Sequence, residues 1–146
     1  MGKLILFSGP QPSILEKLRK EVFINGSVRV AYMPSDGANQ QEKYEIYWKK
    51  WVEENDGNFV VIDNSLRGDS TKEESMKILE SDVLIITGGN TFVLLNHLRE
   101  SGLIPAVKQF AQTEGKTILG FSAGAIIMSP TIRMANQGVW TIMKLE

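Results

Sequence analysis

Apolar residues fall along this chain in two alternating rhythms. Short, mostly apolar runs appear at Lys3-Leu4-Ile5-Leu6-Phe7, Val28-Arg29-Val30-Ala31-Tyr32-Met33, Phe59-Val60-Val61-Ile62, Asp82-Val83-Leu84-Ile85-Ile86-Thr87 and Thr117-Ile118-Leu119. Most lead into Gly, Pro, Ser or Asn, and runs of this length closed by such residues predict buried strands. Between them the spacing shifts to a helical period. Ile14, Leu15, Leu18 and Val22 share one face, and so do Tyr44, Tyr47, Trp48 and Trp51 within a helix predicted from Gln40 to Asn55. Further helices are predicted up to Glu80, through Phe92, Leu95 and Leu98, and from Pro105 toward Gly115. The run 82–87 is too apolar for a half-exposed sheet and calls for helices on both faces. Strands alternating with helices predict βαβ units, hence an α/β fold of three layers around a doubly wound, mainly parallel sheet.

Local signals refine the boundaries. Ser13 with Glu16 predicts a capping box, as does Thr71 with Glu74 or Ser70 with Glu73, and Asn90 or Thr91 can cap the fourth helix. Asn25-Gly26 and Gly102 are stop signals. The aromatic stripe predicts core packing, while Lys49, Lys50, Glu53 and Glu54 predict a solvated face.

Composition narrows the chemistry. The 146 residues fit one domain spanning 1–146, and a net charge of -1 gives no footprint for nucleic acid or an anionic membrane. The chain has no cysteine and one histidine, His97, which excludes disulfides, thiolate chemistry and a histidine-based metal centre; no cofactor is expected. No apolar run approaches the roughly 20 residues a bilayer requires, and the N-terminus lacks a signal-peptide layout, so a cytoplasmic location is expected.

One stretch carries candidate chemistry. In Thr117-Ile118-Leu119-Gly120-Phe121-Ser122-Ala123-Gly124-Ala125 a strand turns into a helix through Gly-x-Ser-x-Gly, the layout of a nucleophile elbow with Ser122 at its apex. A side chain at 120 or 124 would collide with the neighbouring strand or the helix backbone as the chain reverses. A plain tight turn or an anion-binding loop would produce the same five residues. A second turn, Gly88-Gly89-Asn90-Thr91, also follows a strand. If the two strands are neighbours, N–H groups from Gly89 and Ala123 can converge near Ser122 as an oxyanion hole; otherwise Gly-Gly-Asn only permits a tight turn and a helix cap.

Ile86-Thr87-Gly88-Gly89-Asn90-Thr91-Phe92, then Gly120-Phe121-Ser122-Ala123-Gly124-Ala125 and Ser129-Pro130-Thr131-Ile132, closely resembles the dipeptidase E (α-aspartyl dipeptidase) family of serine peptidases. That family is related in fold to the class I glutamine amidotransferases, a flavodoxin-like arrangement, and to cyanophycinase. The resemblance implies a serine hydrolase acting on short peptides, with Ser122 as nucleophile and Gly89, Gly88 and Ala123 as oxyanion donors. It also implies a histidine and an acid downstream of the serine, and no histidine follows Ser122.

His97 lies about 9 Å down its helix from Thr91, which predicts a packing histidine rather than a base. Asp36 and Asp63 follow the second and third strands, where turn formation or capping explains them. Val139-Trp140-Thr141-Ile142-Met143 has strand-like composition, and the chain is expected to lack the C-terminal part of the family domain. The sheet edge left open favours self-association, in the simplest case a homodimer. The competing reading is a catalytically inactive α/β module that keeps the crevice for a small ligand or a protein; flavin or nucleotide binding has no phosphate-cradling signature behind it.

Overall fold

The computed structural model describes residues 1–24, 26–36 and 43–129. Parallel strands β1 (Lys3–Phe7), β2 (Arg29–Met33), β3 (Asn58–Val61), β4 (Val83–Ile86) and β5 (Thr117–Phe121) form one sheet in the order β1-β5-β4-β2-β3. Helices α1 (Pro12–Val22) and α2 (Lys43–Glu53) cover one face; α3 (Thr71–Glu80), α4 (Thr91–Ser101), α5 (Ile104–Gln112) and α6 (Ala123–Ile127) cover the other. The doubly wound α/β reading of the sequence therefore holds.

Each face of the sheet has its own core, set by the two-residue period of the strands. Ala31, Met33, Leu84, Ile86 and Ile118 point toward Ile78, Leu94, Leu98, Val107 and Phe110 on the α3 to α6 side. Val30, Tyr32, Val83, Ile85, Leu119 and Phe121 point toward Leu18, Val22, Trp48, Trp51 and Val52. All residues of β4 are buried, as a central strand with helices on both sides requires. Full burial of a side chain such as Ile85 or Ile86 contributes about 1.5–3 kcal/mol. Thr87, just past β4, is locked to the second core by the Tyr32 hydroxyl, which donates to its Oγ1 at 2.9 Å.

Several local expectations are corrected. The Ser13–Glu16 capping box does not form: α1 begins at Pro12, whose fixed φ and missing N–H suit the first helical position, and Gln11 is the N-cap without a side-chain bond. Glu16 instead takes Arg19 at 2.9 Å, and this bond holds its exposed carboxyl below the usual range. Neither box forms at α3, because a 3₁₀ turn, Gly68–Ser70, leads directly into it and Ser70 makes no cap bond. Glu74 turns inward, accepting from the Asp63 amide at 2.7 Å and from Lys77 at 2.6 Å.

Of the aromatic stripe, Trp48 and Trp51 are core, Tyr44 is half-buried and Tyr47 is 37% exposed, as is Phe92 on α4 at 45%. The solvated face of α2 is as expected, with Lys49–Glu53 and Lys50–Glu54 pairs one turn apart. Gly102 ends α4 in the left-handed conformation at φ 72°. Asn25, residues 37–42 and residues 130–146, including Arg133, Val139–Met143 and Glu146, lie outside the described residues.

Candidate active site

The sheet order brings the predicted glycine turns together. β4 and β5 are neighbours, with Ile86 opposite Gly120. Helices leave β1 and β5 on opposite faces, and likewise β2 and β4, so crevices open beyond the carboxyl ends on either side of the β4–β5 pair. Ser122 and Gly88-Gly89 stand between these two openings.

The elbow is built by close backbone approach. A Cβ on Gly124 would lie 2.7 Å from the Ile86 carbonyl carbon, closer still to its oxygen, and 3.0 Å from the Thr87 oxygen. A Cβ on Gly120 would lie 3.0 Å from the Gly124 oxygen and from Leu6 Cδ2. Both glycines are thus required by space rather than by φ, as the sequence pattern implied. The Gly124 amide donates to Thr87 O at 3.0 Å and the Ser122 amide to Phe7 O at 3.2 Å, tying the turn to the exits of β4 and β1.

Ser122 is held at φ 50°, ψ −117°, outside the regions a residue with a side chain prefers. It precedes α6 yet makes no capping bond, and its hydroxyl has no partner among the described residues. A serine kept only to cap a helix would show that bond.

Gly88 is buried, and a Cβ there would lie 3.2 Å from the Ser122 Cβ and 3.2 Å from the Phe121 ring. Gly89 has φ 130°, and a Cβ on it would lie 2.5 Å from Ser35 Oγ. Asn90 caps α4, its side chain accepting from the amides of Phe92 and Val93 at 3.0 and 3.2 Å. The cap and the close approach to Ser122 therefore coexist in one turn. The amides of Gly88, Gly89 and Ala123 donate to no acceptor among the described residues. Gly88 and Ala123 are buried, where backbone N–H groups are almost always paired, whereas Gly89 is exposed.

None of the remaining titratable candidates hydrogen-bonds to the Ser122 hydroxyl among the described residues. His97 Nε2 lies 2.7 Å from Asp36 Oδ1. Leu95 and Leu98 of α4 line a cavity of about 70 Å³ together with Ile127 and Met128, so that flank faces α6. Residues two apart on a helix point about 200° apart, which turns His97 to the other flank, toward β2. Asp63 Oδ1 closes a turn by accepting from the Ser65 amide at 2.9 Å. Ser35, buried against Gly89, was not singled out from the sequence; its place after a strand and Pro34 was the only signal. No group of three or more His, Cys, Asp or Glu side chains arranged to hold a metal ion occurs among the described residues.

A doubly wound parallel sheet with a strained serine between strand and helix, against a second glycine turn, defines an α/β protein of flavodoxin-like fold whose crevice is lined by those two turns. The model of peptidase family S51 matches residues 4–143, and the chain belongs to that family. Peptidase E of Shigella flexneri serotype 5b (strain 8401) is 29% identical over 126 residues, covering 86% of this chain and 49% of that protein. Peptidase E of Citrobacter koseri is 44% identical over 59 residues, covering 40% and 25%. The chain spans about half the length, or less, of these curated relatives.

Among solved structures, a Listeria monocytogenes EGD-e protein provisionally named a peptidase E superposes with a TM-score of 0.71 at 26% identity, covering 94% of this chain and 66% of that one. A peptidase from an acI-B1 Actinobacterium, at 22% identity and a TM-score of 0.62, shares the fold over 88% of this chain and 57% of its own.

Proposed function

We propose that this chain carries the nucleophile and oxyanion donors of a serine peptidase acting on short peptides. Ser122 is the nucleophile, and the amides of Ala123, Gly89 and Gly88 receive the developing charge. The observation that carries this reading is the backbone of Ser122 at φ 50°, in contact with the Gly88-Gly89 turn. Such strain costs about 1–3 kcal/mol and persists only where the surroundings enforce it.

In the proposed reaction, Oγ attacks the peptide carbonyl carbon while its proton passes to a general base, which later hands it to the leaving amine. The carbonyl oxygen becomes an oxyanion facing the unpaired amides. The tetrahedral species collapses to an acyl-serine as the amine leaves with a proton, and water then releases the acid and restores the hydroxyl. One preorganised donor is worth about 3–4 kcal/mol in such a step.

The proton acceptor is not assigned within this sequence, because its single histidine is engaged by Asp36 on the far flank of α4. Turnover by these residues alone is therefore expected to be slow. Short peptides as substrates rest on membership of family S51 and on the likeness to peptidase E. A cytoplasmic setting and pairing of two copies through the β1 edge belong to the same reading. Among the described residues β1 pairs with β5 alone, and no helix is long and apolar enough to cross a membrane.

The test is a fluorophosphonate probe followed by peptide mapping. Wild type should be labelled at Ser122 and Ser122→Ala should not. Equal labelling of both, or of neither while the fold is intact, overturns the proposal and returns the chain to a binding module.

A further inference from the structure

His97 is used by none of the chemistry above, yet it is half of a contact spanning 61 residues. A carboxylate only accepts, so Nε2 donates its proton to Asp36 Oδ1 at 2.7 Å. Nδ1 is left buried and unpartnered, and the ring is only 18% exposed. The folded protein thus tolerates an unpaired ring nitrogen in order to keep this bond.

Its position explains what the bond holds. Asp36 directly follows Ser35, whose side chain is buried against Gly89. Gly89 in turn enters α4 through the Asn90 cap, and α4 carries His97. The path from α4 through His97, Asp36 and Ser35 to Gly89 therefore closes on itself. Nearby, the Thr87 amide donates to Met33 O at 3.1 Å, the last backbone bond between the exits of β4 and β2.

We propose that the His97–Asp36 hydrogen bond is a clamp that presses the β2 exit against the Gly88-Gly89 turn and so fixes where the Gly89 amide points. His97 and Asp36 are positioning residues. Gly89 as an oxyanion donor rests on the proposed function; the clamp itself does not.

The experiment compares wild type, His97→Ala, Asp36→Ala and the double variant with His97→Gln, whose amide nitrogen can donate from near the Nε2 position. It reads amide exchange at Thr87 and the ¹⁵N order parameter of Gly89. Either alanine variant should speed Thr87 exchange about tenfold and lower the Gly89 order parameter from about 0.85 toward 0.6. The β5 amides should be unaffected, and the double variant should add nothing. His97→Gln should restore both values, which general loosening of the fold would not allow.

Unchanged values at Thr87 and Gly89 would overturn the clamp, as would equal acceleration in β5 or failure of glutamine to rescue. Fluorophosphonate labelling of Ser122 is read in parallel and should slow ten- to a hundredfold in His97→Ala. Loss of order at Gly89 in a wild type that never labels would support the clamp and remove the hydrolase reading. Slower labelling with Gly89 unmoved would do the reverse.

Discussion

The amide of Gly124 donates to the carbonyl oxygen of Thr87 at 3.0 Å, which pins the first turn of α6 to the exit of β4. This contact is the reason the elbow and the second glycine turn share one place. It exists only because position 124 has no side chain. In Gly124→Ala the new methyl would meet the Ile86 carbonyl group, backbone at the end of the central strand β4, held in the sheet by β2 and β5 on either side. Overpacking of this kind costs about 1–3 kcal/mol and more where backbone is the obstacle. Urea unfolding should show a loss of about 3 kcal/mol or more.

Gly88→Ala is expected to behave differently. The neighbours of its new methyl, at 3.2 Å, are the Phe121 ring and the Ser122 Cβ. The Phe121 ring can give by a few tenths of an ångström, but the Ser122 Cβ moves only with its own backbone, so stability should fall by about 1–2 kcal/mol. The displaced group is the proposed nucleophile, however. Labelling at Ser122 should slow at least tenfold, since small displacements of reacting groups carry large rate penalties. Equal labelling of Gly88→Ala and wild type would show that the two turns do not act together.

How far the sequence carried these expectations depended on the range of the interaction. The buried run at β4, the glycines at 120 and 124 and the αL stop at Gly102 are consequences of a few consecutive residues, and they were legible. The capping boxes at Ser13 and at Ser70 or Thr71 were misplaced because competing partners intervened. Pro12 moved the start of α1, and Glu74 was drawn to the Asp63 amide by the exit of β3. Ser35 against Gly89, and His97 against Asp36, depend on β2 lying beside β4, and strand order is not written in any local pattern. The elbow pattern placed Ser122 at the apex of a tight turn, but its φ and the missing cap appear only in the fold.

Glu74 ties the α3 helix to the rest of the fold. Its side chain is 4% exposed, paired with Lys77 at 2.6 Å and accepting from the Asp63 amide at 2.7 Å. Glu74→Ala would leave that amide without its acceptor and Lys77 without its counter-charge. Breaking a buried pair costs about 3–5 kcal/mol, and the partial exposure of Lys77 places this case near 2–3 kcal/mol. Denaturant unfolding should show that loss with Ser122 labelling retained at temperatures where the variant is folded, because the exit of β3 lies at the far edge of the sheet from β5.

Ser122 provides the sharpest separation of stability from chemistry. Its φ of 50° with ψ of −117° is strained for any residue with a Cβ and open to glycine. Ser122→Gly should therefore relieve the strain and raise stability by about 1 kcal/mol, partly offset by the greater freedom glycine gives the unfolded chain. Ser122→Ala keeps the Cβ and the strain, and the hydroxyl it removes has no partner among the described residues, so its stability should stay within about 0.5 kcal/mol of wild type. Both variants lose the fluorophosphonate target. Parallel unfolding curves should place glycine above alanine and wild type, the pattern expected where a serine is kept in an unfavourable conformation for its reactivity. If glycine instead ranks lowest, the conformation at 122 is comfortable for a side chain, and the enforced elbow that supports the hydrolase reading is lost.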